Sequence, residues 1–242
     1  MSQRLDQAIV AAGLAESRAR AQSLIDAGVV MVNETPAKKP SQKVNDDVEI
    51  VITANPNPWV SRAALKLDFA LKEFDLSPNG AVCLDVGAST GGFTEVLLAN
   101  GANKVYALDV GHGQLHSRLR DDQRVVNIEG VNAREIPEGV IPHVDWIVTD
   151  VSFISLEKAL PLPLTLARKG AVLVALVKPQ FEVGRENIGK GGIVRDTVAQ
   201  SRARNRVDTF LETEGWRVTD RGESPIKGGD GNTEYLVAAR RI

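Results

Sequence analysis

The residues from Leu84 to Leu98, LDVGASTGGFTEVLL, carry the clearest chemical signal in the chain. An apolar run reaches Asp85, the glycines Gly87, Gly91 and Gly92 follow, and a helical pattern begins. So sharp a turn at a strand end brings backbone close to a ligand. The spacing fits neither phosphate template. A Walker A loop needs Lys and then Ser or Thr after its last glycine, where this chain has Phe93-Thr94. The dinucleotide fingerprint needs its second glycine where Ala88 stands, and that glycine is the one that lets backbone approach a pyrophosphate. Asp85 beside the turn disfavours a phosphate and suits a cation or an amino group. Asp109 ends the next apolar run, KVYALD, where an acidic residue takes ribose hydroxyls. The pattern asks for a nucleoside with cationic or zwitterionic substituents and no pyrophosphate, a description that S-adenosylmethionine meets. The plainer alternative is a strand–helix turn with glycines for close packing, which leaves Asp109 unexplained.

The elements that must position these residues alternate. After a helix from Ser61 to about Phe74, strand patterns occur near 81–86, 104–109, 124–129, 144–149 and 171–177, and helices near 91–100, 155–168 and 196–214. Two last strands fit near 216–220 and 234–240. Such alternation predicts an α/β fold, a doubly wound and mostly parallel sheet whose ligands bind at the carboxyl ends of its strands. Asp150 and Lys178 each close an apolar strand pattern, so both belong at that edge; read alone, they are equally a structural ion pair. Lys66 sits at the margin of its helix's apolar arc and by itself reads as a lysine whose stem covers apolar surface.

TANPNPWVS, 53–61, interrupts the periodic segments with two prolines and two asparagines and reads as a linker. The expected division is a small unit over 1–54, a linker over 55–60 and a large unit over 61–242. In the small unit Leu5, Ala8, Ile9 and Ala12 share one helical face, and a second helix runs from Ser17 to Ala27, with Arg18, Arg20 and Gln22 outward. Short strands follow at 29–32 and 48–52.

With 242 residues and a net charge of −2, the chain carries no global basic signal, so any nucleic-acid surface is a local patch. The one cysteine, Cys83, lies in an apolar run and allows no disulfide framework. No apolar run approaches a bilayer span, and MSQRLDQAIV lacks the apolar core of a secretion signal. A soluble cytoplasmic protein is expected, with no metal site.

Four motifs in order, SRAALKL (61–67), DVGASTGGFT (85–94), TDVSFISL (149–156) and VKPQFEVG (177–184), behind a small domain similar to S4 units, resemble the TlyA family. Its members join an S4 domain to an FtsJ-like methyltransferase and are described both as hemolysins and as ribosomal RNA 2′-O-methyltransferases. The resemblance implies a Rossmann-like class I S-adenosylmethionine-dependent methyltransferase: a seven-stranded, mostly parallel sheet with the last strand antiparallel, behind an α+β S4 domain. It also implies a Lys-Asp-Lys-Glu tetrad, which falls on Lys66, Asp150, Lys178 and Glu234. The cofactor motif covers Asp85, Gly87, Ala88, Ser89, Thr90, Gly91, Gly92 and Phe93, with Asp109 for the ribose, Asn132 near the adenine, and Asp150 also counted at the cofactor. RNA would meet Arg4, Arg18, Arg20, Lys38, Lys39 and Lys43 in the S4 unit, and Arg62, Arg185 and Lys190 in the large one. The glycine-rich 181–196 reads as a lid that orders over RNA.

The implied reaction is methyl transfer from the sulfonium to a ribose 2′-hydroxyl of ribosomal RNA, free or in a subunit. Lys178 is the candidate base or, if charged, the group that stabilises the alkoxide. Asp150-Val151-Ser152-Phe153 lacks the prolines usual where a base amino group is methylated. The competing readings are a membrane-active hemolysin and a catalytically silent RNA-binding protein. A nicotinamide dehydrogenase is disfavoured by Ala88.

Overall fold

The computed structural model describes residues 2–15, 17–45, 47–54 and 58–242. The chain divides into two compact units, Met1–Pro58 and Trp59–Ile242. Residues 55–57 of the expected linker lie outside the described residues.

The first unit contains β1 (Gln3–Arg4), α1 (Leu5–Ala11), α2 (Arg18–Asp26), β2 (Val30–Val32), β3 (Thr35–Pro36), β4 (Lys43–Val44) and β5 (Ile50–Ile52). Strands β3, β2 and β5 form an antiparallel sheet, and β1 pairs with β4. Three of these strands, β1, β3 and β4, are two residues long and leave no periodic trace in sequence. The apolar faces of the helices meet the sheet in a core that includes Leu5, Ile9, Leu24, Ile25 and Val30. Ser17 caps α2, its Oγ accepting from the Arg20 amide at 3.2 Å.

Gln22, expected to face outward, instead reaches back to Asp6, and Arg18, exposed as expected, also touches it. The Asp6 carboxylate is buried and accepts from Arg4 Nε and Nη2 at 2.9 Å each, Gln22 Nε2 at 2.9 Å and Arg18 Nη2 at 3.2 Å. A buried carboxylate must find donors, and these are the ones within reach of α1 and α2. The Arg4 hydrogen bond foremost, helped by Gln22 and Arg18 against the cost of burial, holds the Asp6 carboxyl well below the usual carboxylate range.

The second unit opens with α3 (Ala64–Glu73). Then come β6 (Val82–Val86), α4 (Gly92–Ala99), β7 (Lys104–Asp109), α5 (Ser117–Arg120), β8 (Val125–Glu129) and β9 (Val144–Thr149). The chain continues through α6 (Leu156–Ala159), α7 (Pro161–Thr165), β10 (Ala167–Val177), α8 (Pro179–Glu182), α9 (Thr197–Thr213), β11 (Trp216–Glu223) and β12 (Tyr235–Arg241). The seven strands form one sheet in the order β11-β12-β10-β9-β6-β7-β8. Pairing is parallel from β10 to β8, and β12 runs antiparallel to both its neighbours, as the predicted class requires.

Alternate strand residues feed two cores. Cys83, Val105, Trp146, Val148, Val174 and Leu236 pack with α3 and α4. Leu84, Leu108, Ile147, Leu173, Ala175 and Val237 pack against the side that carries α6, α7 and α9. Strands buried on both faces read as continuous apolar runs, the pattern their sequences show.

Two expectations are corrected. The single helix over 155–168 is two short ones, because Pro161 lacks an amide hydrogen and can only begin a new helix. Glu234 does not begin the last strand; β12 starts at Tyr235, one residue later.

Asp6→Asn removes the charge that Arg4, Arg18 and Gln22 converge on, and the expected cost is about 1.5–3 kcal/mol of local stability. A depressed folded-state pKa contributes stability above the unfolded value of 3.8 and loses it as pH falls below that value. Hydrogen exchange at α1 amides should therefore separate wild type from Asp6→Asn at pH 6 and converge as pH falls below about 4.

Candidate active site

The turn between β6 and α4 is built around positive φ angles. Gly87 has φ +83° and Gly91 has φ +96°. A Cβ on Gly87 would lie 3.0 Å from Val151 Cγ1, and one on Gly91 would lie 2.3 Å from Leu119 Cδ1. Both positions therefore need glycine for space as well as for conformation. Ser89 also adopts positive φ, at +48°. The turn folds over Asp109, whose Oδ2 accepts from the Ser89 amide at 2.8 Å and Oδ1 from the Gly111 amide at 2.7 Å.

Beside this turn lies a cavity of about 510 Å³, lined by Gly87, Ser89, Asp109, Val110, Asn132 and Asp150 among others. A narrower cleft of about 160 Å³ continues along Ala88, Ser89, Thr90, Gly92 and Phe93 to Asp150 and Lys178. Asp85 and Gly91 line neither and sit behind the turn. Asp85 is buried, its Oδ2 accepting from Thr94 Oγ1 at 2.7 Å. Its Oδ1 takes no hydrogen bond from the described residues. Burial pushes its carboxyl up to about 7 against the pull of the Thr94 hydrogen bonds.

At the carboxyl edge of the sheet, four charged side chains form a chain of alternating sign. Glu234 Oε2 lies 2.7 Å from Lys66 Nζ, Lys66 Nζ 3.5 Å from Asp150 Oδ2, and Asp150 Oδ1 2.6 Å from Lys178 Nζ. All four are nearly dry, with side-chain exposures of 3 % to 13 %. Topology brings them together. Asp150 follows β9 and Lys178 follows β10, neighbouring parallel strands that end at the same edge. Because β12 is antiparallel, its beginning lies at that edge too, with Tyr235 opposite Val177, which delivers Glu234. Lys66 projects from the first turn of α3, a helix whose other buried residues are apolar.

A second cavity, of about 480 Å³, opens on the other side of this chain, lined by Lys66, Ser152, Phe153, Lys178, Gln180, Phe181, Asp230 and Glu234 among others. Several of its features escape a sequence reading. Ser152 Oγ lies 2.6 Å from Lys178 Nζ. Phe153 is 92 % exposed at φ +66°, a conformation costly for a bulky residue. Its ring packs against Phe181 at 5.3 Å, and Phe181 lies 6.0 Å from Lys178 Nζ. Buried Glu182 accepts from the Leu156 amide at 2.9 Å, tying the end of the 150–156 loop to α8. Burial pushes its carboxyl up to about 7.

The segment 181–196 is tied down rather than loose. Buried Asn232 accepts from the Val194 amide at 2.9 Å and donates to the Gly192 carbonyl at 2.9 Å. Ile188 and Gly192 wall the second cavity, while Arg185 and Lys190 of the same segment are exposed. Arg62 is exposed near α3. In the first unit Lys38, Lys39 and Lys43 are exposed, whereas Arg4 and Arg18 are committed to Asp6. Arg20 is half-buried in α2.

No three His, Cys, Asp or Glu side chains among the described residues are grouped to hold a metal ion. Cys83 is buried, with its thiol pushed up to about 12 by burial, and is no nucleophile.

Comparison with known proteins agrees with this geometry. Residues 59–241 match the FtsJ-like methyltransferase family and residues 3–50 the S4 domain. The 16S/23S rRNA (cytidine-2′-O)-methyltransferase TlyA of Mycobacterium tuberculosis is 46 % identical over 98 % of this chain and 89 % of its own length. Hemolysin A of Brachyspira hyodysenteriae is 45 % identical over 97 % of this chain and 98 % of its own length. A solved Streptococcus thermophilus structure with a provisional hemolysin name is 40 % identical and superposes with a TM-score of 0.79, covering 100 % of this chain and 89 % of the other. With both domain models matched in order and relatives aligned over nearly their full lengths, the chain belongs to the FtsJ-like methyltransferases of the TlyA type, which carry an S4 domain ahead of the methyltransferase domain.

Proposed function

We propose that the protein methylates a ribose 2′-hydroxyl of ribosomal RNA, at a cytidine, using S-adenosylmethionine. The observation that carries this reading is the alternating charge chain at the junction of two cavities. Asp150 and Lys178 reach the cleft beside the glycine turn, and Lys66, Lys178 and Glu234 line the cavity beyond it. The names of the relatives supply the nucleotide and the polymer.

The residues present fit the cofactor. A Cβ at Gly87 would crowd Val151, Asp109 is held by two backbone amides at the cavity wall, and Asn132 lines the same cavity. The Asp85 carboxylate, buried behind the turn and lining neither cavity, ties β6 to Thr94 of α4. When bound, S-adenosylmethionine supplies a methyl group on a sulfonium. The protein has to bring the hydroxyl into line with it and help remove the proton. Lys178 is the group for the proton, Asp150 orients it, and Lys66 with Glu234 fixes Asp150 from the far side. The exposed Phe153, strained and braced by Phe181, offers a ring face for the target base to stack on. Lys38, Lys39 and Lys43 in the S4 domain, with Arg62, Arg185 and Lys190 in the catalytic one, would meet phosphates and set register. A ribosomal subunit in the cytoplasm is the setting this reading implies. No helix among the described residues is long and apolar enough to cross a membrane.

Mapping 2′-O-methylation across ribosomal RNA from cells with and without the gene tests the proposal; identical maps would sink it. Lys178→Ala should abolish transfer while S-adenosylmethionine binding, measured by calorimetry, stays within about threefold. Normal turnover in that variant would remove Lys178 from the mechanism. Asp109→Ala frees the Ser89 and Gly111 amides and removes the ribose acceptor, a loss of about 1.5–3 kcal/mol that weakens cofactor binding about 10–150-fold.

A further inference from the structure

Ser152 touches more of the site than any residue named for the reaction. It lines the cavity beside the glycine turn, the narrow cleft and the second cavity alike. Its Oγ lies 2.6 Å from Lys178 Nζ, the same distance that separates Lys178 from Asp150 Oδ1. Lys178 thus has two fixed partners, the Asp150 carboxylate in ion-pair contact and the Ser152 hydroxyl oxygen, which accepts its hydrogen bond.

The number of hydrogens on the nitrogen gives the second partner a purpose. A neutral lysine amine has two N–H donors and one lone pair, while the ammonium has three donors and no lone pair. With the Asp150 ion pair alone, which is not an aligned hydrogen bond, the amine spins about its Cε–Nζ bond and its lone pair sweeps a cone. The hydrogen bond to Ser152 fixes one N–H and, with the Asp150 contact, stops the rotation. The third valence is then fixed in direction, and Lys178 also lines the second cavity, where this reading puts the acceptor ribose.

We propose that Ser152 is a positioning residue that aims the lone pair of Lys178 at the acceptor hydroxyl. This rests on the reading of Lys178 as the proton acceptor. In the step, the 2′-hydroxyl proton passes to the Lys178 lone pair and gives an ammonium. The oxygen's electron pair forms the new O–C bond, and the pair of the broken C–S bond stays on sulfur as a neutral thioether. The ammonium's third N–H then faces the methylated oxygen, and its proton leaves to solvent. Ser152 accepts from Lys178 throughout, so its own hydrogen stays free to donate into the adjoining cavities.

Single-turnover methylation of ribosomal RNA, with cofactor affinity and RNA KM measured in parallel, tests the assignment. Ser152→Ala should lower kcat about 10–100-fold, the loss of one hydrogen bond to a nitrogen that becomes charged in the step, while both binding constants stay within about threefold. Ser152→Thr, which keeps the hydroxyl, should recover most of that rate. An active wild type beside a Ser152→Ala variant with unchanged kcat overturns the assignment, as does a loss carried by KM or cofactor affinity, or a failure of Ser152→Thr to recover. A wild type that methylates no ribose overturns the functional reading and this assignment with it.

Discussion

Two lysines and two carboxylates are buried together at one edge of the sheet, and much of the large unit serves to make that tolerable. Each charge taken out of water costs several kcal/mol unless partners replace its solvation. The order Glu234–Lys66–Asp150–Lys178 alternates in sign, and each inner member lies between two opposite charges. Four different chain segments contribute, so the arrangement exists only when α3, the ends of β9 and β10 and the start of β12 are in register. Removing one member strands its neighbours, whereas the complete set is held firmly enough to do chemistry.

The turn after β6 works with this edge. The Asp150 amide donates to the Val86 carbonyl at 3.3 Å, and Val151 fills the space that a side chain at Gly87 would need. The cofactor turn and the loop that carries Asp150, Ser152 and Phe153 are thus packed as one piece. Glu182 holds the far end of that loop to α8, directly behind Lys178. The strain at Phe153 is sustained by this bracing, since a free loop would relax a bulky residue out of positive φ.

The first unit shows why a count of basic residues overstates a patch. Arg4 and Arg18 belong by type to a nucleic-acid surface, yet both are drawn into the shell around Asp6. Their charge is partly spent inside the fold, which leaves the exposed Lys38, Lys39 and Lys43 as the more available cations. The cost of burying a carboxylate decided that division, and charge composition carries no record of it.

Local pattern and strand termini were legible in the sequence. Apolar runs located the strands, the glycine order excluded a pyrophosphate, and Asp109, Asp150 and Lys178 announced themselves by closing such runs. The family motifs added Lys66 and Glu234, which spacing alone leaves as an ordinary surface lysine and a strand-start glutamate. Tertiary structure alone decided how these residues meet. Lys66 and Asp150 are 84 positions apart, and their contact follows from strand order and from the antiparallel entry of β12, neither of which periodicity encodes. The same holds for the Ser152–Lys178 bond, the strained Phe153, the Glu182 clamp and the capture of Arg4 and Arg18. Hydrophobic period tells which face of an element is buried; which polar groups find one another depends on where the chain returns, and that is a property of the packed whole.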